Sequence, residues 1–197
     1  MSRIGIFAGS FDPVHKGHIA FALKAIQEAK LDAVYFLPEI KPRRKAGASH
    51  ISRRIAMLEL GLKPYQKLKL LELPDKQFSV AHTMPRLEQK FASSEMFLLM
   101  GADGELEHLP NWPLAKQLLA RLGLVIAYRG KTREEVAGLV KKLPSAPASL
   151  YLIESSKPNL SSAKIRAALQ KGKTPDGLPD SVQTYIANNW LYGSVGL

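Results

Sequence analysis

The chain has 197 residues, of which 46% are hydrophobic, enough to bury the core of one domain. It contains no cysteine, which excludes disulfide bonds, thiol catalysis and cysteine-ligated metals. The 28 lysines and arginines outnumber the 17 aspartates and glutamates and give a formal charge of +11, which favours anionic partners. No apolar run approaches the roughly 18 residues of a membrane span and no signal segment is visible, so we expect a cytoplasmic protein without a membrane partner.

Short apolar runs and helical patterns alternate along the chain. The run at residues 3–8 predicts a first strand, and apolar residues at helical spacing from about 17 to 30 predict a helix after it. Further strands are predicted at residues 33–37, 68–73, 95–100, 124–128 and 150–153. Helices are predicted in the intervals, at residues 51–62, 113–122 and 163–171 and from residues 80, 132 and 179 onward.

Local signals predict where three of these helices begin. Ser49 or Ser52 is expected to cap the helix at residue 51, and Thr132 with Glu135 forms a capping-box pattern. Proline in a helix interior removes a hydrogen bond and clashes with the preceding turn. The helix that contains Pro85 therefore either starts near residue 83 or is kinked.

Regular alternation of strand and helix implies right-handed crossovers and a mostly parallel sheet covered on both faces. We therefore predict an α/β fold, a Rossmann-like doubly wound parallel sheet of five to six strands. Residues 1–158 would form this core within one domain, and residues 159–197 a small C-terminal helical subdomain. Ligands of such folds bind beyond the carboxyl ends of the strands. Four polar segments that follow strands should meet there, at residues 9–18, 38–49, 101–103 and 159–162.

The most informative segment is Gly9-Ser-Phe-Asp-Pro-Val-His-Lys-Gly-His18, between the first strand and the first helix. A glycine-bearing turn that leads into a helix presents N–H groups to an anion, and histidine donates hydrogen bonds to phosphate. This favours a loop that holds a nucleotide triphosphate. Two alternatives remain: His15 and His18 bond backbone carbonyls as structural residues, or they join Asp12 at a metal. The basic run Lys41-Pro-Arg-Arg-Lys45 is expected to meet phosphate or ribose.

The opening segment resembles the GxFxPxHxGH motif of the nucleotidyltransferase superfamily, whose members transfer AMP or CMP to a substrate. Ser161-Ser-Ala-Lys-Ile-Arg166 is similar to the second motif of that superfamily. Over nearly its whole length the chain is most similar to bacterial nicotinate-nucleotide adenylyltransferases. Residues 100–103 with 109–112 resemble the G-x-D…W segment of that family, and Val182–Tyr192 resembles its C-terminal ending.

Two segments depart from the family pattern. Pro42-Arg-Arg-Lys45 corresponds to a P-P-H-K loop, so Arg43 and Arg44 replace a proline and a histidine. The family also carries a Tyr-Thr pair that holds the nicotinate carboxylate, and the corresponding residues here are Ser79 and Val80. Because valine has no hydroxyl and an unmatched carboxylate is costly to bury, backbone N–H groups there could serve instead.

The resemblance implies in-line attack of a 5′-phosphate oxygen of nicotinate mononucleotide on the α-phosphate of ATP, which releases pyrophosphate and forms deamido-NAD in NAD biosynthesis. Mg²⁺ would accompany ATP and be held by phosphate oxygens, with no dedicated protein ligand. The implied catalytic residues are His15, His18 and Arg166. The implied ATP-binding residues are Gly9, Ser10, Phe11, His15, His18, Gly101, Asp103, Ser161, Ser162, Ile165 and Arg166. The implied acceptor-binding residues are Lys45, Ser79, Val80, Asp103 and Trp112.

Individual roles follow from the chemistry of these side chains. The histidines would donate to the triphosphate, with His18 the better placed for the α-phosphate. Ser161, Ser162 and the following helix N-terminus would hold the β- and γ-phosphates, and Arg166 the leaving pyrophosphate. Asp103 would accept from a ribose hydroxyl or cap a helix. Trp112 would stack on a flat base or pack in the core, and Trp190 and Tyr192 would pack in the core under the final helix. The other histidines, His50, His82 and His108, are expected at the surface.

Two other functions stay open at this stage. One is an adenylyl- or cytidylyltransferase of the same superfamily that acts on a different phosphorylated acceptor, which the departure at Ser79 and Val80 motivates. The other is a nucleotide- or RNA-binding module without catalysis, which the charge motivates and the intact histidines oppose. Nucleic acid is therefore not the expected partner. The oligomeric state, including a homo-oligomer, is left open.

Overall fold

Six parallel strands form one sheet in the order β3-β2-β1-β4-β5-β6. The computed structural model of the protein describes residues 1–43 and 47–194. The strands are β1 (Ser2–Gly9), β2 (Ala33–Pro38), β3 (Leu68–Leu70), β4 (Ser94–Gly101), β5 (Gly123–Tyr128) and β6 (Leu150–Glu154). All five neighbouring pairs run parallel. The predicted α/β class and doubly wound parallel sheet are confirmed, with six strands.

Strand β3 is shorter than the predicted run at residues 68–73. It lies at the edge of the sheet and pairs with β2 through Leu68, Lys69 and Leu70. The N–H of Leu71 still donates to the carbonyl of Phe36 at 2.9 Å, but the chain then leaves the sheet. Pro74 follows and has no N–H to continue the ladder.

The helices are α1 (Lys16–Glu28), α2 (Ile51–Leu62), α3 (Thr83–Lys90), α4 (Ala115–Arg121), α5 (Arg133–Val140), α6 (Ser162–Gln170) and α7 (Asp180–Asn188). Short irregular or 3₁₀ turns occupy Ala102–Leu106, Leu109–Asn111 and Leu191–Gly193. Of the two predictions made for Pro85, a start at Thr83 is the one observed. Proline is tolerated in the first turn because its missing N–H has no partner within the helix there.

The capping residues predicted for α5 are observed, whereas those predicted for α2 are not. Thr132 Oγ1 accepts from the N–H of Glu135 at 3.2 Å, and Glu135 Oε2 accepts from the N–H of Thr132 at 2.6 Å, so the capping box is confirmed. Neither predicted serine caps α2. Instead, the ring of His50 accepts from the N–H of Ser52 at 3.4 Å, because an imidazole nitrogen can replace a hydroxyl oxygen.

The sheet is covered on both faces by separate apolar clusters. On one face, residues of α1, α2, α6 and α7 share one cluster with residues of β1 and β2, and its buried members include Ala22, Leu58, Ile165 and Val182. On the other face, α3, α4 and α5 contribute Met84, Leu118 and Val136. The C-terminal helices thus share a cluster with residues of the sheet, which fixes α6 beside the opening loop.

Of the two aromatic residues predicted to pack under the final helix, Tyr192 packs against the core cluster that contains Val182 and Ile186, and Trp190 does not. Trp190 does not pack in the core, because 71% of it is exposed. Tyr192 is half-buried, but its hydroxyl reaches across the fold to the opening loop. Trp190 and Tyr192 have φ values of 46° and 59°, so the backbone is left-handed at both residues. This turn lets the Trp190 side chain point to solvent and the Tyr192 side chain point into the fold.

Within the described part of the chain, the helices are too short or too polar for any of them to cross a bilayer.

The strand order reverses between β1 and β4, because the chain runs outward from β1 in both directions. A crevice opens at such a reversal, beyond the carboxyl ends of the two central strands. Gly9 ends β1 and Gly101 ends β4, so the loops that follow them face each other across this crevice. The fold therefore places two of the four predicted polar segments at its ligand-binding edge.

Candidate active site

Two adjoining cavities lie at the carboxyl edge of the sheet. The larger cavity, of about 480 Å³, is lined by residues of both motifs, including His15, His18, Ser161, Ser162 and Arg166. The smaller cavity, of about 250 Å³, includes Glu39, Arg43, Phe78, His108 and Trp112. Ala8, Met100 and Glu105 line both. Two ligands bound in these cavities would therefore meet at the ends of β1 and β4.

The two histidines of the opening loop cap helix α1 reciprocally. His15 Nδ1 accepts from the N–H groups of Gly17 and His18 at 3.1 and 3.3 Å, while His18 Nδ1 accepts from the N–H of His15 at 3.2 Å. The two rings stack with their centroids 3.7 Å apart. Because both Nδ1 atoms accept, the proton of each neutral ring lies on Nε2, so Nε2 is the nitrogen that can act as a donor.

His15 is held in its neutral form. Burial lowers its pKa from 6.5 to about 4, and the positive charge of Arg129 lowers it further. The lowered pKa favours the neutral ring, and the capping bonds to Nδ1 select the tautomer with its proton on Nε2. At neutral pH His15 is therefore a hydrogen-bond donor to an anion and not a cation.

Gly17 supplies the space that this arrangement needs. A β-carbon at residue 17 would lie 2.9 Å from His15 Nδ1 and 3.0 Å from His15 Cε1, which is closer than carbon atoms normally approach. The ring could not then sit over the helix N-terminus. The glycine between the two histidines is thus required for close approach of a side chain.

The second motif is tied to the first by two hydrogen bonds. Arg166 Nη1 donates to the carbonyl of Asp12 at 2.7 Å, and the Ser162 hydroxyl donates to the carbonyl of Pro13 at 3.0 Å. Ser161 caps α6, because its hydroxyl accepts from the N–H of Lys164 at 3.2 Å. The first N–H groups of α6 have no acceptor within the helix, and the helix dipole adds positive potential there. This end of the larger cavity is suited to bind phosphate oxygens.

Sequence reasoning missed Arg129, which joins three parts of the larger cavity. Its Nη1 donates to the carbonyls of Leu160 and Pro158 at 2.6 and 3.2 Å, and its Nε donates to Asp103 Oδ2 at 3.3 Å. Lys131 lies 3.7 Å from the other oxygen of Asp103. The sequence feature that could have indicated Arg129 is its position directly after β5, at the edge of the sheet where ligands bind.

Asp12 links the opening loop to two distant segments. Its Oδ1 accepts from the Tyr192 hydroxyl at 2.5 Å, and its Oδ2 accepts from the N–H of Ser49 at 3.1 Å. Asp12 is therefore a structural acceptor that orients the loop.

The buried Arg54 also holds the opening loop. Its guanidinium donates to the carbonyls of Ser10, Ser49 and Ile40 at 2.8, 2.8 and 3.1 Å.

Aromatic and charged groups surround the smaller cavity. The rings of Phe78 and Trp112 have centroids 6.0 Å apart, and the guanidinium of Arg43 lies 5.8 Å from the Trp112 ring. His108, expected at the surface, lines this cavity as well. His50 and His82 are exposed as expected. The cavity can thus take a flat ring with an anionic substituent.

The site residues predicted from the sequence lie in the larger cavity, in the smaller cavity or outside both. Asp103 and Gly101 line the larger cavity with the motif residues, whereas Gly9 and Ser10 line the smaller one, as does Trp112. Four predicted residues line neither cavity: Phe11 and Ile165 pack in one core cluster, Val80 packs in the other, and the Ser79 hydroxyl accepts from the N–H of His82. At the predicted Tyr-Thr position it is instead the preceding Phe78 that reaches a cavity. Lys45 and Arg44 lie outside the described residues.

Metal binding by the protein itself is not supported by the placement of its carboxylates and imidazoles. Across residues 1–43 and 47–194, no group of three or more His, Asp or Glu side chains is placed to hold a metal ion. Asp12 is engaged with Tyr192 and Ser49, and Asp103 with Arg129 and Lys131. The alternative that the two histidines join Asp12 at a metal is therefore not supported.

Comparison with known proteins identifies the family. Residues 6–168 match the model of the family described as cytidylyltransferase-like. A probable nicotinate-nucleotide adenylyltransferase from Carboxydothermus hydrogenoformans is 33% identical over 97% of this chain and 98% of its own length. The nicotinate-nucleotide adenylyltransferase of Bacillus subtilis is 31% identical over 98% of this chain and 100% of its own.

A solved structure shares the whole architecture. The nicotinic acid mononucleotide adenylyltransferase of Plasmodium falciparum, complexed with NaAD, superimposes with a TM-score of 0.81 over 99% of each chain at 19% identity. This likeness supports the fold, and the closer sequence relatives support the family. The paired motifs, the cavities at the sheet edge and these relatives together show that the chain belongs to the cytidylyltransferase-like family and, within it, to the nicotinate-nucleotide adenylyltransferases.

Proposed function

We propose that this protein transfers AMP from ATP to nicotinate mononucleotide, releasing pyrophosphate and forming deamido-NAD. The observation that carries the proposal is the pair of adjoining cavities, one lined by both motifs and one by aromatic rings with a guanidinium. ATP would occupy the larger cavity and the mononucleotide the smaller one. Their phosphates would then meet where Ala8, Met100 and Glu105 line both cavities.

The reaction needs positioning and charge stabilisation more than covalent catalysis. The 5′-phosphate oxygen of the acceptor attacks the α-phosphorus of ATP, and the bond to the bridging oxygen breaks as pyrophosphate leaves. His15 and His18 would donate from Nε2 to the α-phosphate as its charge develops. Both rings are fixed by the capping bonds of α1, so they are oriented before the reaction begins.

The leaving pyrophosphate would lie at the N-terminus of α6. Arg166 and Arg129 line this end of the larger cavity, and both are already fixed by bonds to backbone carbonyls. Fixed guanidinium groups lose little side-chain entropy when phosphate arrives. The Ser161 and Ser162 hydroxyls have structural partners, so in this proposal the first N–H groups of α6 bind the phosphate oxygens.

Mg²⁺ is proposed to enter with ATP as part of the substrate. A divalent ion bound to phosphate oxygens neutralises part of the triphosphate charge and needs few protein ligands. The roles of the protein residues above do not depend on where that ion sits.

The proposal is tested by pyrophosphate release with a panel of acceptors: nicotinate mononucleotide, nicotinamide mononucleotide, phosphopantetheine and sugar phosphates. We expect nicotinate mononucleotide to give the highest kcat/KM. His18→Ala should lower its turnover on the order of 10²–10⁴-fold with the fold intact, and His82→Ala, an exposed histidine outside both cavities, should not. Turnover with another acceptor alone would reject nicotinate mononucleotide. Tight RNA binding without pyrophosphate release from any acceptor would reject the enzyme.

A further inference from the structure

The smaller cavity carries a fixed guanidinium beside its aromatic walls. Arg43 Nε donates to Gln77 Oε1 at 2.8 Å, and Arg43 Nη2 donates to the carbonyl of Phe78 at 3.1 Å. These bonds use two of the five N–H groups of the guanidinium. Among residues 1–43 and 47–194, the other three have no hydrogen-bond partner, and the side chain lines the cavity near Trp112.

Two backbone donors in the adjacent segment are already used. The N–H of Phe78 donates to Glu39 Oε1 at 2.9 Å, and the N–H of Ser79 donates to Thr83 Oγ1 at 3.0 Å. The sequence predicts that backbone N–H groups at Ser79 and Val80 could hold an acceptor carboxylate. The N–H of Ser79 has an internal acceptor and Val80 lines neither cavity, so the guanidinium of Arg43 is the better placed donor for a carboxylate in this cavity.

The charges around the cavity also favour Arg43. Glu39 lines the same cavity and would repel a carboxylate if its charge were uncompensated. The buried guanidinium of Arg54 lies close enough to interact with the charge of Glu39 and donates to the neighbouring carbonyl of Ile40. Glu39 thus interacts with a buried cation, whereas Arg43 is a cation that lines the cavity itself, together with Glu39 and Glu105.

We propose that Arg43 is the specificity-determining residue of this enzyme and selects an acceptor whose aromatic ring carries a carboxylate. The proposal rests on the function proposed above. The ring would stack on Trp112, and the carboxylate would receive charge-assisted hydrogen bonds from the guanidinium. A carboxamide in the same place has no charge to pair with Arg43, so it would be bound less well.

The test compares Arg43→Gln and Arg43→Lys with Lys76→Gln as a matched control. Lys76 is exposed and lines neither cavity, and Lys76→Gln changes the net charge by the same amount as Arg43→Gln. The kcat/KM of each variant is measured with nicotinate mononucleotide and with nicotinamide mononucleotide. Binding of nicotinate mononucleotide is measured by titration calorimetry.

We expect Arg43→Gln to lower kcat/KM for nicotinate mononucleotide about 10- to 100-fold, mainly through KM, since one charged hydrogen-bonding group is lost. The value for nicotinamide mononucleotide should change less than about threefold. Arg43→Lys should recover part of the loss, because it keeps the charge but not the fork geometry. Lys76→Gln should match the wild type with both acceptors.

Two outcomes would overturn the proposal. An equal loss with both acceptors would show that Arg43 only supports the loop through Gln77 and Phe78. An unchanged acceptor ratio together with unchanged calorimetric affinity would show that the carboxylate is bound elsewhere. Failure of the proposed function is distinguishable, because it would be seen in the wild type as a lack of turnover with nicotinate mononucleotide before any variant is compared.

Discussion

Replacing His15 by asparagine should remove an acid-sensitive element of the fold. His15 is buried, with 5% of its surface exposed, and burial lowers its pKa from 6.5 to about 4. As the pH falls below 6.5, the unfolded chain binds a proton at this residue and the folded chain does not. The unfolded state is therefore favoured progressively between pH 6.5 and pH 4.

The size of this effect follows from the two pKa values. With 6.5 in the unfolded state and about 4 in the folded state, His15 alone should lower the free energy of unfolding by about 2 kcal/mol between pH 7 and pH 5. Asparagine is a favoured N-cap residue, so its side-chain oxygen can accept from the same helix N–H groups without titrating. His15→Asn should therefore be less sensitive to acid than the wild type, although it should lose turnover.

Urea unfolding of both proteins at pH 7, 6 and 5 provides the measurement. Other histidines and carboxylates titrate in both proteins, so the difference between the two curves isolates His15. We expect the stability of the wild type relative to the variant to fall by about 2 kcal/mol from pH 7 to pH 5. Parallel stability curves would refute a neutral, buried His15.

Two further substitutions test the structure around the opening loop. Gly17→Ala places a β-carbon 2.9 Å from His15 Nδ1, so we expect a loss of about 1–3 kcal/mol in urea unfolding and at least a tenfold loss of pyrophosphate release; wild-type turnover would contradict the close fit of the ring. Tyr192→Phe removes the donor to the buried Asp12, so we expect a loss of about 1.5–3 kcal/mol and a Tm lower by roughly 4–10 °C in calorimetry. Tyr185→Phe is its control, and equal Tm values for the two variants would contradict the role of the Tyr192 hydroxyl.

The features that could be predicted from sequence are those carried by contiguous residues. The alternation of apolar runs predicted the parallel sheet, and the opening motif predicted where its ligand-binding edge begins. The histidines and their glycine lie within four residues of each other, so their spacing was visible in the sequence. The capping box at Thr132 and Glu135 was predicted for the same reason.

Contacts between distant residues could not be predicted in this way. Tyr192 and Asp12 are 180 residues apart, and nothing in the C-terminal segment indicated that its tyrosine would reach the opening loop. Arg129 and Asp103 form part of the larger cavity only because β4 and β5 are neighbours in the sheet.

The acceptor side was the least predictable part of the site. A shift of one residue moves a side chain to the other side of an extended segment, which is why Phe78 and not Ser79 lies on the smaller cavity. His108 was expected at the surface because a single histidine in a polar stretch carries no pattern. Its place became clear only from the turns that follow β4, which bring it beside Trp112.

In the proposed reaction, AMP moves from ATP to nicotinate mononucleotide in one displacement. The decisive measurement follows ATP labelled at the α-phosphate through a single turnover with nicotinate mononucleotide. We predict that the label appears in the dinucleotide product, that one unlabelled pyrophosphate is released for each dinucleotide formed, and that no label remains on the protein. Label on the protein, or label that stays in ATP while a different phosphorylated acceptor is consumed, would contradict direct transfer of AMP to nicotinate mononucleotide.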